Sequence, residues 1–176
     1  MKMNDYNTLI ELVNSLIKTE KIREFVLNFL ENEVPEYFKT IPASSSGKYH
    51  PASSLGEGGL VRHTISAVKI GHYIIGLKYF DLCQELKDSV IASLVLHDTF
   101  KQGRGDGTGF TTNDHEIVAS EEIRKAGFDV IADLVSTHMG EWGKFSKIET
   151  DLQFLVHLAD YLASRKTLTI DLSCEV

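Results

Sequence analysis

Apolar residues return every third or fourth position along most of this chain, the spacing of amphipathic α-helices. Leu9, Leu12, Val13, Leu16 and Ile17 make one such face, and Ile22, Phe25, Val26, Phe29 and Leu30 repeat it until Pro35 closes the second segment. A third helix is expected from about Leu60 to Leu77, with Val61, Ile65, Val68 and Ile75 on one stripe. A fourth is expected from about Gln84 to His97 through VIASLVL. That stretch is apolar on most sides, which places it at the centre of a bundle. Asn113 or Asp114 is expected to cap a fifth helix that ends near Ala126, with Gly127 as its left-handed stop. Asp129 is expected to cap a sixth, with Val130, Ile131, Leu134 and Val135 facing inward. Thr150 and Gln153 form a capping box for a last helix that carries Leu155, Val156, Ala159 and Leu162. The tail TLTIDL alternates weakly and reads as a short strand or an extended end. The pattern predicts an all-α, single-domain helical bundle of about seven helices, without repeats.

The helical pattern fails in two places. Residues 39–59, KTIPASSSGKYHPASSLGEGG, are rich in Ser, Gly and Pro and carry Lys48, Tyr49 and His50. They read as a flexible surface loop, although loops of this length in compact domains often serve a site. Residues 99–113, TFKQGRGDGTGFTTN, read as a second loop and a mobile cover. It is not a phosphate-binding loop, since it lacks the GK[ST] ending and a preceding strand.

Bulk properties narrow the function classes. The chain of 176 residues fits one domain, and 43% apolar with 24% charged residues is an ordinary globular profile. No apolar run approaches the roughly 20 residues that span a bilayer. The polar start MKMNDYNTLIEL lacks a signal-peptide core, so a cytoplasmic location is expected. The formal charge of −7 argues against a broad nucleic-acid binder, and an anionic substrate then needs local positive charge, which a bound metal supplies. Cys83 and Cys174 form no metal-binding pair and read as free thiols.

Histidine carries the chemical information. His97 and Asp98 follow the most apolar helix, so both are delivered to the interior. A buried imidazole beside a buried carboxylate is costly unless something compensates. A metal ion does so by making both into ligands, and this pair of donor types suits Zn, Fe, Mn or Ni. Asp160, inside LVHLADYLA, is mid-helix and cannot be a cap; it faces inward as a ligand or as half of an ion pair with Arg or Lys. His63 lies on the third helix, His115 follows a helix cap, and His138 ends the sixth helix. His72 stands nine residues from His63 and is turned about 180° from it around the helix, so it belongs elsewhere. His157, one turn from Asp160, is at best a supporting contact.

The ordered set His63, His97-Asp98, His115, His138 and Asp160 resembles the HD superfamily of metal-dependent phosphohydrolases, specifically its two-metal branch. GGLVRHT, LVLHDTFK and HLADYLASR are the local motifs that carry the resemblance, which runs from about residue 35 to 166. The lead-in FKTIPASSSGKYHPASSLGEGGLVRHT is similar to that of HD domains in certain 3′→5′ exoribonucleases and in small phage and bacterial HD proteins. Those exonucleases place an OB domain ahead of the HD domain, for which the roughly 35 preceding residues are too few; the expectation is a small substrate, or a partner that supplies binding, rather than processive RNA degradation. The resemblance implies residues 1–34 as a helical extension packed on an HD domain of residues 35–176. It implies two divalent transition-metal ions (Mn, Fe, Ni, Co or Zn), one held by His63, His97, Asp98 and Asp160, the other by Asp98, His115 and His138 with Asp98 bridging. The implied activity is hydrolysis of a phosphomonoester or phosphodiester of a nucleotide or short oligonucleotide by a metal-activated hydroxide. Asp98 and Lys101 are the expected catalytic residues. Lys101, Arg62 and His50 are expected to bind substrate, with Arg104 a weaker candidate. A small phosphorylated molecule is the expected partner, a short oligonucleotide the only nucleic acid, and no membrane is involved. Two rival readings share the same residues: di-iron oxygen activation, and a non-catalytic metal-binding regulatory module.

Overall fold

Each stretch of three-to-four-residue periodicity is a helix in the computed structural model, which describes residues 5–77, 81–143 and 147–166. In chain order the helices are α1 (Asp5–Leu16), α2 (Glu20–Asn32), α3 (Gly59–Ile75), α4 (Gln84–Leu96), α5 (His115–Lys125), α6 (Asp129–Ser136) and α7 (Asp151–Ala163). Short 3-10 turns lie at Glu36–Lys39, Ala52–Ser54 and Gly140–Trp142, and no strand occurs among the described residues. The TLTIDL tail and Cys174 lie outside them; Cys83 is an exposed free thiol. No helix is long and apolar enough to cross a membrane among the described residues.

The near-continuous apolar run puts α4 at the centre, with every residue from Asp88 to Leu96 buried. Helix α3 packs on α4, α7 and α1, and α4 also meets α6 and α2. The α3–α4–α7 crossing is close because position 71 is glycine: a Cβ there would lie 2.2 Å from Leu94 Cδ1 and 3.7 Å from Ala159 Cβ. Buried Asp88 is explained by the turn between α1 and α2. Its Oδ2 accepts from the Lys18 and Thr19 amides at 3.1 and 2.6 Å, and its Oδ1 accepts from Gln84 Nε2 at 2.8 Å. One carboxylate thus satisfies two amides and ties that turn to the central helix.

The helix ends differ from the sequence expectation in detail. The Thr150–Gln153 capping box is present, and Gly127 closes α5 at φ 84°. Asp114 precedes α5 but makes no side-chain cap bond. Asp129 is the first residue of α6 rather than its cap, and its carboxylate instead takes Arg124 at 3.1 Å. Val130 is exposed, not inward, because Ile131, Leu134 and Val135 fill the buried stripe and position 130 lies beside it. Residues 39–59 are not a loose surface loop. Ala43 is fully buried, and backbone bonds join Ala43 to Ser54, Gly58 to Thr40 and Leu60 to Ile41 at 2.9–3.0 Å.

Candidate metal centre

The faces of two helices and the ends of three others aim at one point. Helix α3 carries His63 on its buried face, and α7 carries Asp160. The buried C-terminus of α4 delivers His97 and Asp98 to the interior, α5 opens with His115, and His138 follows α6. Asp98 sits between two sets of imidazoles. Its Oδ2 is 3.5 Å from His97 Nε2 and 3.8 Å from His63 Nε2. Its Oδ1 is 3.1 Å from His115 Nε2 and 3.7 Å from His138 Nε2. Asp160 Oδ1 lies 2.9 Å from His63 Nε2 and 3.5 Å from His97 Nε2, and those two imidazole nitrogens are 3.4 Å apart. All six residues named from the sequence are therefore brought together. His63–His97–Asp160 and His97–Asp98–His138 form two tight donor triads that share His97.

The orientation of the rings suits metal ligation. Nδ1 of His97, His115 and His138 lies 2.8, 3.0 and 2.8 Å from the carbonyls of Leu94, Thr112 and Val135, each three residues earlier. A carbonyl only accepts, so each Nδ1 carries the proton and each Nε2 presents a lone pair to the centre. Two of these carbonyls are groups that a helix end leaves without a partner, so the local fold supplies the acceptors. Asp98 Oδ1, His115 Nε2 and His138 Nε2 are buried and have no hydrogen-bond partner. Orphaned polar atoms of this kind are costly, and three converging on one space fit a divalent cation.

The electrostatics point the same way. Burial opposes charge on His97, but the Asp98 and Asp160 carboxylates outweigh it and raise its pKa to about 10, so without a cation its Nε2 also holds a proton, which a metal bound there would displace. Burial alone would raise Asp98, yet Lys101 and the surrounding histidines hold it well below the usual carboxylate range. Asp160 is held low in the same way by His63 and His97 against its own desolvation. Burial lowers His138, keeping its imidazole neutral. Two carboxylates therefore stay ionised in the interior, a charge that a cation offsets.

The remaining candidates divide. Lys101 Nζ pairs with Asp98 Oδ2, so its ammonium is at the centre. His50 reaches the same place from the lead-in loop, its ring 4.9 Å from that of His63 and its Nδ1 buried without a partner. Burial, with His63 and Lys101 nearby, lowers its pKa to about 3 and keeps it neutral. Arg62 is not free to meet a phosphate. Its guanidinium pairs with Asp5 at 2.7 Å and donates to the Ser53 and Leu55 carbonyls, fastening the lead-in loop and α1 to α3. Arg104 pairs with Glu122 on α5. His72 lies in a separate cleft with Lys18, Gln84 and Asp88, as its angle around α3 requires.

Three residues that support the centre were not legible as such. Tyr37 donates to the Gly103 carbonyl and accepts from the Gln102 amide at 3.1 Å, and Gln102 Oε1 accepts from the Gly109 amide at 3.0 Å. These bonds, with Thr112 N to Lys101 O at 2.9 Å and the Arg104–Glu122 pair, anchor a loop that read as a mobile cover. His157 supports not Asp160 but His138, donating from Nδ1 to its carbonyl at 2.7 Å. Gly140 makes room for that ring, since a Cβ there would meet His157 Cε1 at 2.6 Å. Glu116, buried, lies 3.5 Å from His115 Nδ1. No local sequence signal marks Tyr37 or Glu116; for His157 the only hint was its place one turn from Asp160.

Comparison with known proteins places the chain in a family. The family model for the HD domain matches residues 60–165. The dihydroneopterin 2′,3′-cyclic phosphate phosphodiesterase of Methanocaldococcus jannaschii is 30% identical over 178 aligned positions, covering 89% of this chain and 68% of that protein. No solved structure matches the chain.

Proposed function

This chain belongs to the HD domain family and is a phosphoric ester hydrolase, and from that premise we propose that it hydrolyses a phosphodiester of a small nucleotide-like molecule at a centre of two divalent transition-metal ions. The observation that carries the proposal is the Asp98 carboxylate, with one oxygen toward His63 and His97 and the other toward His115 and His138. Such a carboxylate is built to bridge. His63, His97, Asp98 and Asp160 would hold one ion, and Asp98, His115 and His138 the other, with Mn, Fe, Ni, Co or Zn all suited to these donors. When bound, such ions lower the pKa of coordinated water and stabilise charge on phosphate oxygens.

The chain's own groups do the rest. Backbone carbonyls, two at helix ends and one in the loop before α5, hold three imidazoles in the ligating tautomer. Lys101 is only 12% exposed and lies against Asp98, positioned to hold a phosphate oxygen as a point charge. His50, kept neutral, offers an unpartnered ring nitrogen to the substrate's polar edge. The relative acts on a cyclic phosphate of a pterin, so 2′,3′-cyclic phosphates are the first substrates to test.

The test is hydrolysis of a panel of 2′,3′-cyclic nucleotides, nucleoside monophosphates and short oligonucleotides with Mn²⁺, Fe²⁺, Ni²⁺, Co²⁺ and Zn²⁺ in turn, with metal content measured alongside. Asp98→Ala is expected to lose both bound metal and activity, whereas His72→Ala keeps both. Equal losses in the two variants, or a wild type that binds metal and hydrolyses nothing on the panel, would overturn the proposal.

A further inference from the structure

The turn that follows ligand His138 carries an aromatic stack that the hydrolytic centre does not use. Trp142 lies parallel to Tyr161, with ring centroids 5.4 Å apart and 7° between the planes. Arg165 also lies against Tyr161, its guanidinium carbon 4.3 Å from the ring centre and its Nη1 donating to the phenol oxygen at 3.2 Å. His157 closes the inner edge, 5.6 Å from the indole, and holds the stack to the His138 carbonyl. The outer part of the indole is open, leaving Trp142 63% exposed. A large aromatic residue held this rigidly and still exposed is the form a recognition surface takes.

Its location decides the occupant. Trp142 stands four residues beyond His138, and its stacking partner Tyr161 follows Asp160 directly. Asp160 is 17% exposed while His63 and His97 are fully buried, and His157 touches both the Trp142 ring and the His138 carbonyl, so the stack stands one side chain away from the donor cluster. The remainder of an ester whose phosphate sat at the centre would have to extend outward past these residues. The group best matched to a flat, cation-backed π-face is a planar heterocycle.

We propose that Trp142, backed by Tyr161 and Arg165, is the stacking platform for the base of the substrate, making this a hydrolase of phosphates that carry a purine-like or pterin-like ring. The inference rests on the phosphohydrolase reading and adds the substrate class to it. It explains why an indole is exposed beside a catalytic centre, and it assigns specificity to a residue that touches no metal ligand.

Trp142 is the single tryptophan of the chain, so its fluorescence reports the platform directly. Two probes separate base from phosphate: adenosine 2′,3′-cyclic phosphorothioate for binding to the Zn²⁺-loaded protein, and a base-free methyl riboside 2,3-cyclic phosphate as its counterpart. The adenosine compound is expected to quench the indole and the base-free one to leave it unchanged. In kinetics with 2′,3′-cyclic AMP, Trp142→Ala is expected to raise KM roughly 5- to 150-fold, the range of one lost base stack, with kcat little altered. Trp142→Phe should restore most of the loss, and KM for the base-free ester should not move in any variant. An unchanged KM for 2′,3′-cyclic AMP in Trp142→Ala, or an equal rise for both esters, would overturn the proposal. A wild type that is quenched by the base but hydrolyses no ester would instead overturn the phosphohydrolase reading and leave the platform standing.

Discussion

Gly71→Ala probes how tightly the bundle fixes its metal ligands. The added Cβ would lie 2.2 Å from Leu94 Cδ1, against an ordinary carbon contact of about 3.5–4.0 Å. Something must move by more than about 1.3 Å, and Leu94 is fully buried at the α3–α4–α7 crossing. Alanine gains about 0.8–1.0 kcal/mol over glycine in helix propensity. Overpacking a buried site costs about 1–3 kcal/mol, and so deep a clash belongs to the upper half of that range. The net loss is about 1–2 kcal/mol, which lowers Tm by roughly 2–8 °C for a chain of this size. The strain also reaches the site, because the Leu94 carbonyl accepts the Nδ1 proton of His97. Metal affinity should therefore fall together with stability. The assay is denaturant unfolding of Gly71→Ala, Leu94→Ala and the double variant, with metal titration of each. Leu94→Ala alone should cost about 2–5 kcal/mol as a cavity, and less by about 1–3 kcal/mol once the methyl group added by Gly71→Ala occupies that cavity. A raised Tm for Gly71→Ala, or costs that add to within about 0.5 kcal/mol, would refute the reasoning.

Two further outcomes are expected. At roughly 100 times its Kd, an activating metal should stabilise the wild type by about 2.7 kcal/mol, or roughly 5–11 °C in a thermal-shift assay; Asp98→Asn, which keeps the volume but not the bridging charge, should lose most of that shift, and an undiminished shift would show that Asp98 is no ligand. Tyr37→Phe strips a buried amide and a half-buried carbonyl of their partner and should cost about 1–3 kcal/mol. Burial raises the Tyr37 phenol from 10.0 to about 12, so its contribution is complete below pH 10 and disappears as the pH climbs toward 12. Wild-type stability should accordingly fall by up to about 3 kcal/mol more than that of Tyr37→Phe across this alkaline window; parallel curves in denaturant titrations would contradict the assignment.

Much of the site was legible because metal ligation imposes local demands. A His-Asp pair after the long apolar run of a central helix is delivered to the interior, and a mid-helix Asp among apolar residues faces inward. The 100° turn per residue set His72 on the opposite side of its helix from His63. The same periodicity misassigned Val130, because a short helix admits more than one apolar stripe and only the packing of α6 on α4 and α5 selects between them.

The sequence by itself determined about seven helices, their order and a buried central helix, and its resemblance to the HD superfamily pointed to six side chains as metal ligands. The helices follow from spacing, and the inward placing of His97, Asp98 and Asp160 from the cost of burying polar groups, both of which act within a few turns of chain. The tertiary structure alone decided which Asp98 oxygen faces which pair of imidazoles, that Arg62 binds the lead-in loop, and that Tyr37 holds residue 103 from 66 positions away. It also decided that Trp142 stacks on Tyr161. Such contacts join remote segments, and they depend on how helices cross and on where side chains end, a geometry that no run of neighbouring residues encodes.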